Sequence, residues 1–245
     1  MSENEFRRIK NKILSLEPTR YWGDDFDVRF YLISKLKKLQ NKFILDVGGG
    51  IGIICSELDK SNFRINLDSS FYDLMISKKL DSDIQNICAS MTDLPFKNDS
   101  IDVVICSHVL EIAKHMDIEK KQAITDDQVA TYPTIEKILN EIRCVLHLDS
   151  IFFLTTPNNR YYQSTKPSYH ELKKALGNHF SKYSLLFYNT FPRLSKTHRK
   201  LNLANVMPKL ISKAVSRDKL VNSLLREDES VDRESVSFYV EAFKD

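Results

Sequence analysis

The sequence is poor in the features that mark several classes of protein. Its longest apolar runs fall far short of the ~20 residues that a membrane-spanning helix needs. The opening stretch, "MSENEFRRIKNKIL", has no continuous apolar segment of the signal-peptide kind. Its Phe6, Ile9, Ile13 and Leu16 recur instead at helical spacing, behind Ser2 and Glu5 in capping-box positions. The four cysteines, Cys55, Cys88, Cys106 and Cys144, are far apart, and no C-x-x-C pair occurs. That excludes a zinc ribbon or a dithiol redox motif, and predicts buried, reduced thiols in a cytoplasmic protein. The six histidines show no H-x-x-x-H pattern, so no metal site is expected. Glycine is scarcest of all. There are six in 245 residues, and four of them, Gly48, Gly49, Gly50 and Gly52, stand within five positions.

What remains is the composition of an ordinary globular chain, 42 % apolar and 28 % charged. Short β-branched runs at 42–47, 63–67, 101–107 and 151–155 predict buried strands. Helical patterns at 51–58, 72–79, 109–115 and 135–146 lie between them, which argues for an α/β fold with a parallel sheet. A further helix is opened by Ser168 and Glu171 in capping-box spacing and is expected to close near Gly177. Two more strands are predicted, at 184–191 and 235–243. Between Arg193 and Arg226 stand nine Lys or Arg and one acid, Asp218, so the net charge of +3 arises there and the rest of the chain is acidic.

The glycine cluster follows directly on a strand, in "FILDVGGGIGIICSEL". Without Cβ atoms the backbone turns sharply and can approach a ligand closely. At the carboxyl end of a parallel strand, such a turn lies where ligands bind in open α/β sheets. The helix that follows would add unpaired N–H groups and a partial positive charge. Two familiar ligand classes are excluded. The dinucleotide fingerprint G-x-G-x-x-G/A fails in both registers, because Ile53 or Cys55 stands at the last position. No G-x-x-x-x-G-K-[ST] is present either. The pattern that stands here is D-x-G-x-G-x-G, from Asp46 to Gly52.

That motif and those after it resemble the class I S-adenosylmethionine (SAM)-dependent methyltransferases, in their type 11-like small-molecule branch. "LDVGGGIG" is similar to the family's first motif and "INLDSSFYDL" to its second strand. "CASMTDLPFKNDSIDVVICSHVLE" is similar to the third and fourth motifs, and "EIRCVLHLDSIFFLTTPN" to the helix and fifth strand. The resemblance implies a Rossmann-like three-layer sandwich, whose mostly parallel seven-stranded sheet has an antiparallel last strand. It implies SAM as cofactor, held by Asp46, Gly48, Gly49, Gly50, Gly52, Asp68, Ser69, Ser90, Met91 and Ser107. In this reading Asp68 takes the ribose hydroxyls, Ser90 and Met91 meet the adenine, and Asp46 faces the methionine ammonium; capping of the loop's own N–H groups is the alternative for Asp46. Three departures stand out: Ser90 at a frequent Asp position, Ile112 at a frequent His, and Leu148-Asp149-Ser150 for a Pro-Gly-Gly turn. The expected organisation is one domain: a helical cap at 1–41, a core at 42–192 and 231–245, and a basic helical insertion at 193–230.

Methyl transfer from a sulfonium needs an acceptor held in line, and a hydroxyl acceptor also needs a base. His108, at the end of the fourth strand, is the candidate base, against a structural role. His170 lies inside a capping box and is the weaker candidate. Trp22, Tyr161 and Tyr162 are candidates for the substrate pocket, against roles in packing. The chain lacks the [DNS]-P-P-[FYW] of base amino-methyltransferases, having "CSHV" there, and lacks a Pro-Cys or Thr-Cys nucleophile. The expected acceptor is therefore an O or C atom of a small, glycan-linked or lipid-linked molecule. A nucleic-acid methyltransferase and a non-catalytic SAM-binding protein are the rivals. For the basic segment, Met207, Leu210, Ile211, Ala214, Val221 and Leu225 keep to one helix face beside Lys209, Lys213 and Arg217. It reads as a cap over the pocket, as a peripheral membrane contact, or, least favoured, as a phosphate-binding surface. The connection at 112–133 is polar and expected to be exposed, as a lid or a partner surface.

Overall fold

The computed structural model describes residues 26–120, 124–126, 129–157, 166–188, 225–226 and 237–245, with isolated residues of the N-terminal segment. Trp22, Tyr161, Tyr162 and nearly all of the basic stretch 193–226 lie outside the described residues.

An eight-stranded sheet carries the molecule, in the order β3-β2-β1-β4-β7-β10-β8-β9. Its strands are β1 (Phe43–Val47), β2 (Phe63–Asp68), β3 (Gln85–Cys88), β4 (Ile101–Ser107), β7 (Leu146–Pro157), β8 (Lys182–Tyr188), β9 (Leu225–Arg226) and β10 (Ser237–Phe243). The first five in spatial order pair in parallel, and β10 enters antiparallel between β7 and β8. This is the sheet that the sequence resemblance implies, a seven-stranded core with one antiparallel strand. Its eighth member, the two-residue β9, is antiparallel to β8. Leu225 therefore ends the basic stretch in an extended conformation and is not on a helix face as expected.

Strand residues alternate between two cores because successive side chains point to opposite faces. Leu45, Val104 and Cys106 join one buried cluster, while Ile44, Val103 and Ile105 join the other. The first face is covered by α4 (Leu110–Glu119), α5 (Pro133–Val145) and α6 (Tyr169–His179). The second is covered by α1 (Phe26–Leu36), α2 (Ile53–Ser56) and α3 (Phe71–Leu80). Three layers result. Each fully buried Leu, Ile or Val in them contributes about 1.5–3 kcal/mol of apolar transfer. In α5 the stripe Ile135, Ile138, Leu139, Ile142 and Val145 is wholly buried, and Pro133 occupies the first turn, where its missing N–H does no harm. Tyr31 of α1 meets Tyr239 of β10 edge-on at 5.0 Å, which fixes α1 across the sheet.

Several expectations are corrected. The stretch 112–133 is only in part a polar exposed connection, with Ile112, His115, Ile118, Glu119 and Lys120 exposed. It completes α4 and includes a hairpin, β5 (Ile124–Asp126) with β6 (Val129–Thr131), and its Lys114, Asp117 and Tyr132 are buried. Lys114 Nζ donates to Glu171 Oε2 (2.7 Å) and to the Lys166 carbonyl (2.9 Å), and lies over the Tyr132 ring. The Tyr132 hydroxyl donates to Glu171 Oε1, and Asp117 accepts from the N–H and hydroxyl of Thr134. These charges are buried because each has a partner. The capping box at Ser168 and Glu171 forms as expected, but α6 runs through Gly177 to His179. At the departure from Pro-Gly-Gly, Asp149 takes φ 61° and donates its N–H to the Lys244 carbonyl. Cys88 is exposed rather than buried, and all four cysteines are free.

Candidate functional site

Val47 ends β1, and the chain then doubles back on β2. The N–H groups of Gly48 and Gly49 both donate to the Leu67 carbonyl, at 2.8 and 3.2 Å. Gly48, Gly50 and Gly52 take φ of 68°, 54° and 70°, the left-handed region that residues with a Cβ resist. Gly49 is required for a different reason. A Cβ there would lie 2.7 Å from Asp46 Oδ2 and would run into Asn66 Oδ1. At Gly48 it would meet the Val109 side chain, so the loop is pressed against the end of β4.

The helix after the loop is shorter than the sequence suggests. It spans Ile53–Ser56 rather than 51–58, a single turn too short to aim a helix dipole at a ligand. The glycine N–H groups of the loop are all engaged within the protein: beside the two on the Leu67 carbonyl, Gly52 N–H donates to the Gly49 carbonyl at 3.0 Å and Gly50 N–H to Asp68 Oδ2 at 2.9 Å. Asp68 Oδ1 accepts from Ser70 N–H at 2.8 Å, and the Ser70 hydroxyl caps α3 by accepting from Asp73 N–H. Asp68 is thus oriented by the glycine loop on one side and by the start of α3 on the other. Each of its oxygens keeps a further lone pair for a ligand hydroxyl.

Asp46 is the anomaly. It is 1 % exposed, and among the described residues neither of its oxygens has a hydrogen-bond partner. It does not cap the loop, which was the alternative reading of its role. Asn66 Oδ1 beside it is equally without a donor, although Asn66 Nδ2 donates to the Gly50 carbonyl and to Asn86 Oδ1. Burial pushes the Asp46 carboxyl up to about 7; Arg29 of α1 opposes the shift and Asp68 adds to it.

At the end of β4, the Ser107 hydroxyl is 2.8 Å from that of Thr155. His108 takes φ 60° and donates its N–H to the Thr155 carbonyl. A non-glycine residue in that region is a form of strain that clusters at functional sites. Its Nδ1 is 3.4 Å from Glu111 Oε1, and Glu111 Oε2 accepts from the Thr156 hydroxyl at 3.3 Å. Burial raises the Glu111 carboxyl, but His108 and Arg29 outweigh it and hold it below its ordinary range. After β3, the hydroxyl of exposed Ser90 pairs with that of Thr92, and Met91 is half-buried against the core. Ser69 is exposed at the end of β2. His170 is exposed on α6, against the ring of Tyr169.

The described candidates apart from His170 therefore lie at or just after the carboxyl ends of β1, β2, β3 and β4. Sequence reasoning overlooked Arg29, Asn66 and Glu111. Glu111 was within reach, three residues after His108 on the first turn of a helix. Asn66 was hidden as one of three polar residues in β2, beside Arg64 and Asp68, and Arg29 is brought to the site only by tertiary packing.

Residues 45–154 match the family model described as a methyltransferase domain. Over those residues the chain is thus similar to a methyltransferase domain, on a sheet with the strand order described above. An uncharacterised protein of Methanocaldococcus jannaschii is 33 % identical over 114 residues, 45 % of this chain. The chain spans about 40 % of that curated relative's length. Two solved structures show the same fold at low identity. A SAM-dependent methyltransferase of Thermotoga maritima, described as a possible histamine N-methyltransferase, is 13 % identical with TM-score 0.54, covering 90 % of this chain and 92 % of its own. Phosphoethanolamine N-methyltransferase 2 of Haemonchus contortus, bound to phosphomonomethylethanolamine and S-adenosylhomocysteine, is 15 % identical with TM-score 0.53, covering 88 % of this chain and 52 % of its own.

Proposed function

We propose that this chain transfers a methyl group from SAM to an O or C atom of a small, glycan-linked or lipid-linked acceptor. The observation that carries the cofactor assignment is the buried Asp46 carboxylate, without a donor beside a loop that has no room for a Cβ. A buried acceptor of this kind needs a donor, and an ammonium supplies both donors and the opposite charge. Asp46 would hold the ammonium of the methionine end, and Arg29 its carboxylate. Asp68 would accept from the ribose hydroxyls, with Ser69, Ser90 and Met91 beside the adenosine and Ser107 at the floor of the site. Gly48, Gly49, Gly50 and Gly52 provide the close approach. When bound, SAM supplies a methyl group already activated on a sulfonium.

The chain's own part is to place the acceptor and to receive its proton. Orientation of this kind contributes up to about 7–11 kcal/mol of barrier reduction. His108 takes the proton of a hydroxyl acceptor, and Glu111, facing Nδ1, orients the ring and stabilises the imidazolium. A carbon acceptor needs the same base where it carries an acidic C–H. Trp22, Tyr161 and Tyr162 are proposed to line the acceptor side, and the basic stretch 193–226 to cap it or to contact an anionic membrane surface. Among the described residues no helix is long and apolar enough to cross a membrane. The test is to incubate the protein and methyl-labelled SAM with lipid, RNA and small-metabolite fractions. Label in the lipid or metabolite fraction supports the reading. Label in RNA would move the protein to the nucleic-acid class, and intact SAM in every fraction would leave a binding protein without turnover.

A further inference from the structure

Asp46 Oδ2 and Asn66 Oδ1 both face Gly49, and Asp46 Oδ1 is the third buried acceptor oxygen of the two side chains. None of the three has a donor among the described residues, and both side chains are essentially inaccessible, at 1 % and 0 % exposure. An ionised carboxylate in such a place lacks both water and hydrogen bonds, and burying a charge in that state is unfavourable. The groups around it do not supply the missing donor. From α1, Arg29 favours the charged form; from the end of β2, Asp68 opposes it. From α2 and β4, the thiols of Cys55 and Cys106 are held protonated by burial, with the negative charge of Asp46 adding to the effect. A proton on one carboxyl oxygen removes the charge and places a donor where only acceptors stand.

We propose that Asp46 carries a proton in the free protein and releases it when the ammonium group of the cofactor binds, so that cofactor binding is coupled to proton release. The proposal rests on the cofactor assignment above and adds a regulation to that site. On binding, the O–H bond of Asp46 breaks, its proton passes to solvent, and the carboxylate that remains pairs with the ammonium. No other bond changes. The position of the Asp46 titration near 7 places this exchange within the physiological range. Below that point affinity falls by up to about tenfold per pH unit, because the proton competes with the ligand; above it, affinity is level until the ligand's own amine deprotonates.

The test is a calorimetric titration of the full chain with S-adenosylhomocysteine at about pH 6.5, in phosphate and in imidazole, whose heats of ionisation differ. Roughly three quarters of a proton per ligand should be released to buffer. A protonated-carboxyl stretching band in the infrared spectrum should be lost on binding. In the free state that band should be missing from Asp46→Asn, which keeps the shape of the side chain and reads the proton even if its own affinity is poor. Binding with the same heat in both buffers, or with no loss of the carboxyl band, would overturn the proposal and leave the cofactor assignment standing. Failure of S-adenosylhomocysteine to bind at all would remove the assignment, and the proposal with it.

Discussion

The two faces of the sheet treat buried charge in opposite ways. Over the α4–α5–α6 face, Lys114, Glu171, Tyr132 and Asp117 form a network in which each described polar group has a partner at hydrogen-bond distance. At the glycine loop, Asp46 is as deeply buried and has none among the described residues. A satisfied network joins three helices and leaves nothing for a ligand to do. An unsatisfied carboxylate weakens the free fold and keeps its binding capacity for something else. The difference separates a polar cluster that holds the structure together from one that is kept for function.

Four variants break or sharpen that contrast. The largest effect is expected at Lys114→Ala, which leaves Glu171 facing a buried gap. Chemical denaturation should show a loss of about 3–5 kcal/mol, while the folded fraction binds S-adenosylhomocysteine as before. Unchanged stability with lost binding would reverse the roles of the two clusters. Asp46→Asn should do the opposite. The carboxyl of Asp46 titrates at about 7 in the fold against an ordinary 3.8, so the native state holds a proton that the unfolded chain has already lost. The parent therefore loses stability as pH rises from 4 to 7, by up to about 4 kcal/mol, and the loss remains above that window. The variant should be the more stable protein at pH 8 in thermal unfolding, and the poorer binder. Asp68→Ala should weaken S-adenosylhomocysteine binding by about 2–3 kcal/mol, the scale of one or two charge-assisted hydrogen bonds. An unchanged calorimetric affinity would take Asp68 out of the site. The smallest effect is expected at Glu111→Gln: about tenfold slower transfer to the labelled acceptor fraction, with cofactor affinity intact. Equal slowing of transfer and loss of affinity would make Glu111 a structural residue.

The glycine side of this comparison was open to reading from the sequence, and the paired side was not. β1 and β4 are short apolar runs with one or two polar residues, β2 alternates apolar residues with Arg64, Asn66 and Asp68, and the four glycines have no economical use but a tight turn against a ligand. The antiparallel sense of the last strand came with the family resemblance; its place between β7 and β8 did not, and nothing in the composition of "SFYVEAF" specifies a neighbour. β3 was passed over because "QNIC" offers four residues, two of them amides, and is a strand only because β2 pairs with it. Lys114 and Asp117 lie in a helix rich in charge, "LEIAKHMDIE", where solvent exposure is the ordinary expectation. Only the arrival of Glu171 and Thr134, from distant parts of the chain, makes their burial tolerable. Gly177 looked like a helix stop and is not one, since α6 continues to His179, and the N–H of Phe180 behind it returns to the Leu176 carbonyl. The short helix after the loop went the other way, its expected length cut to one turn.

The central claim is that the loop from Gly48 to Gly52, between Asp46 and Asp68, holds an adenosyl amino acid. A crystal structure of the full chain grown with S-adenosylhomocysteine tests it most directly. The account predicts the two ribose hydroxyls on Asp68 and the amino group at Asp46, with Gly49 in contact. A ligand seated elsewhere, or a loop closed over by its own side chains at saturating ligand, would contradict it.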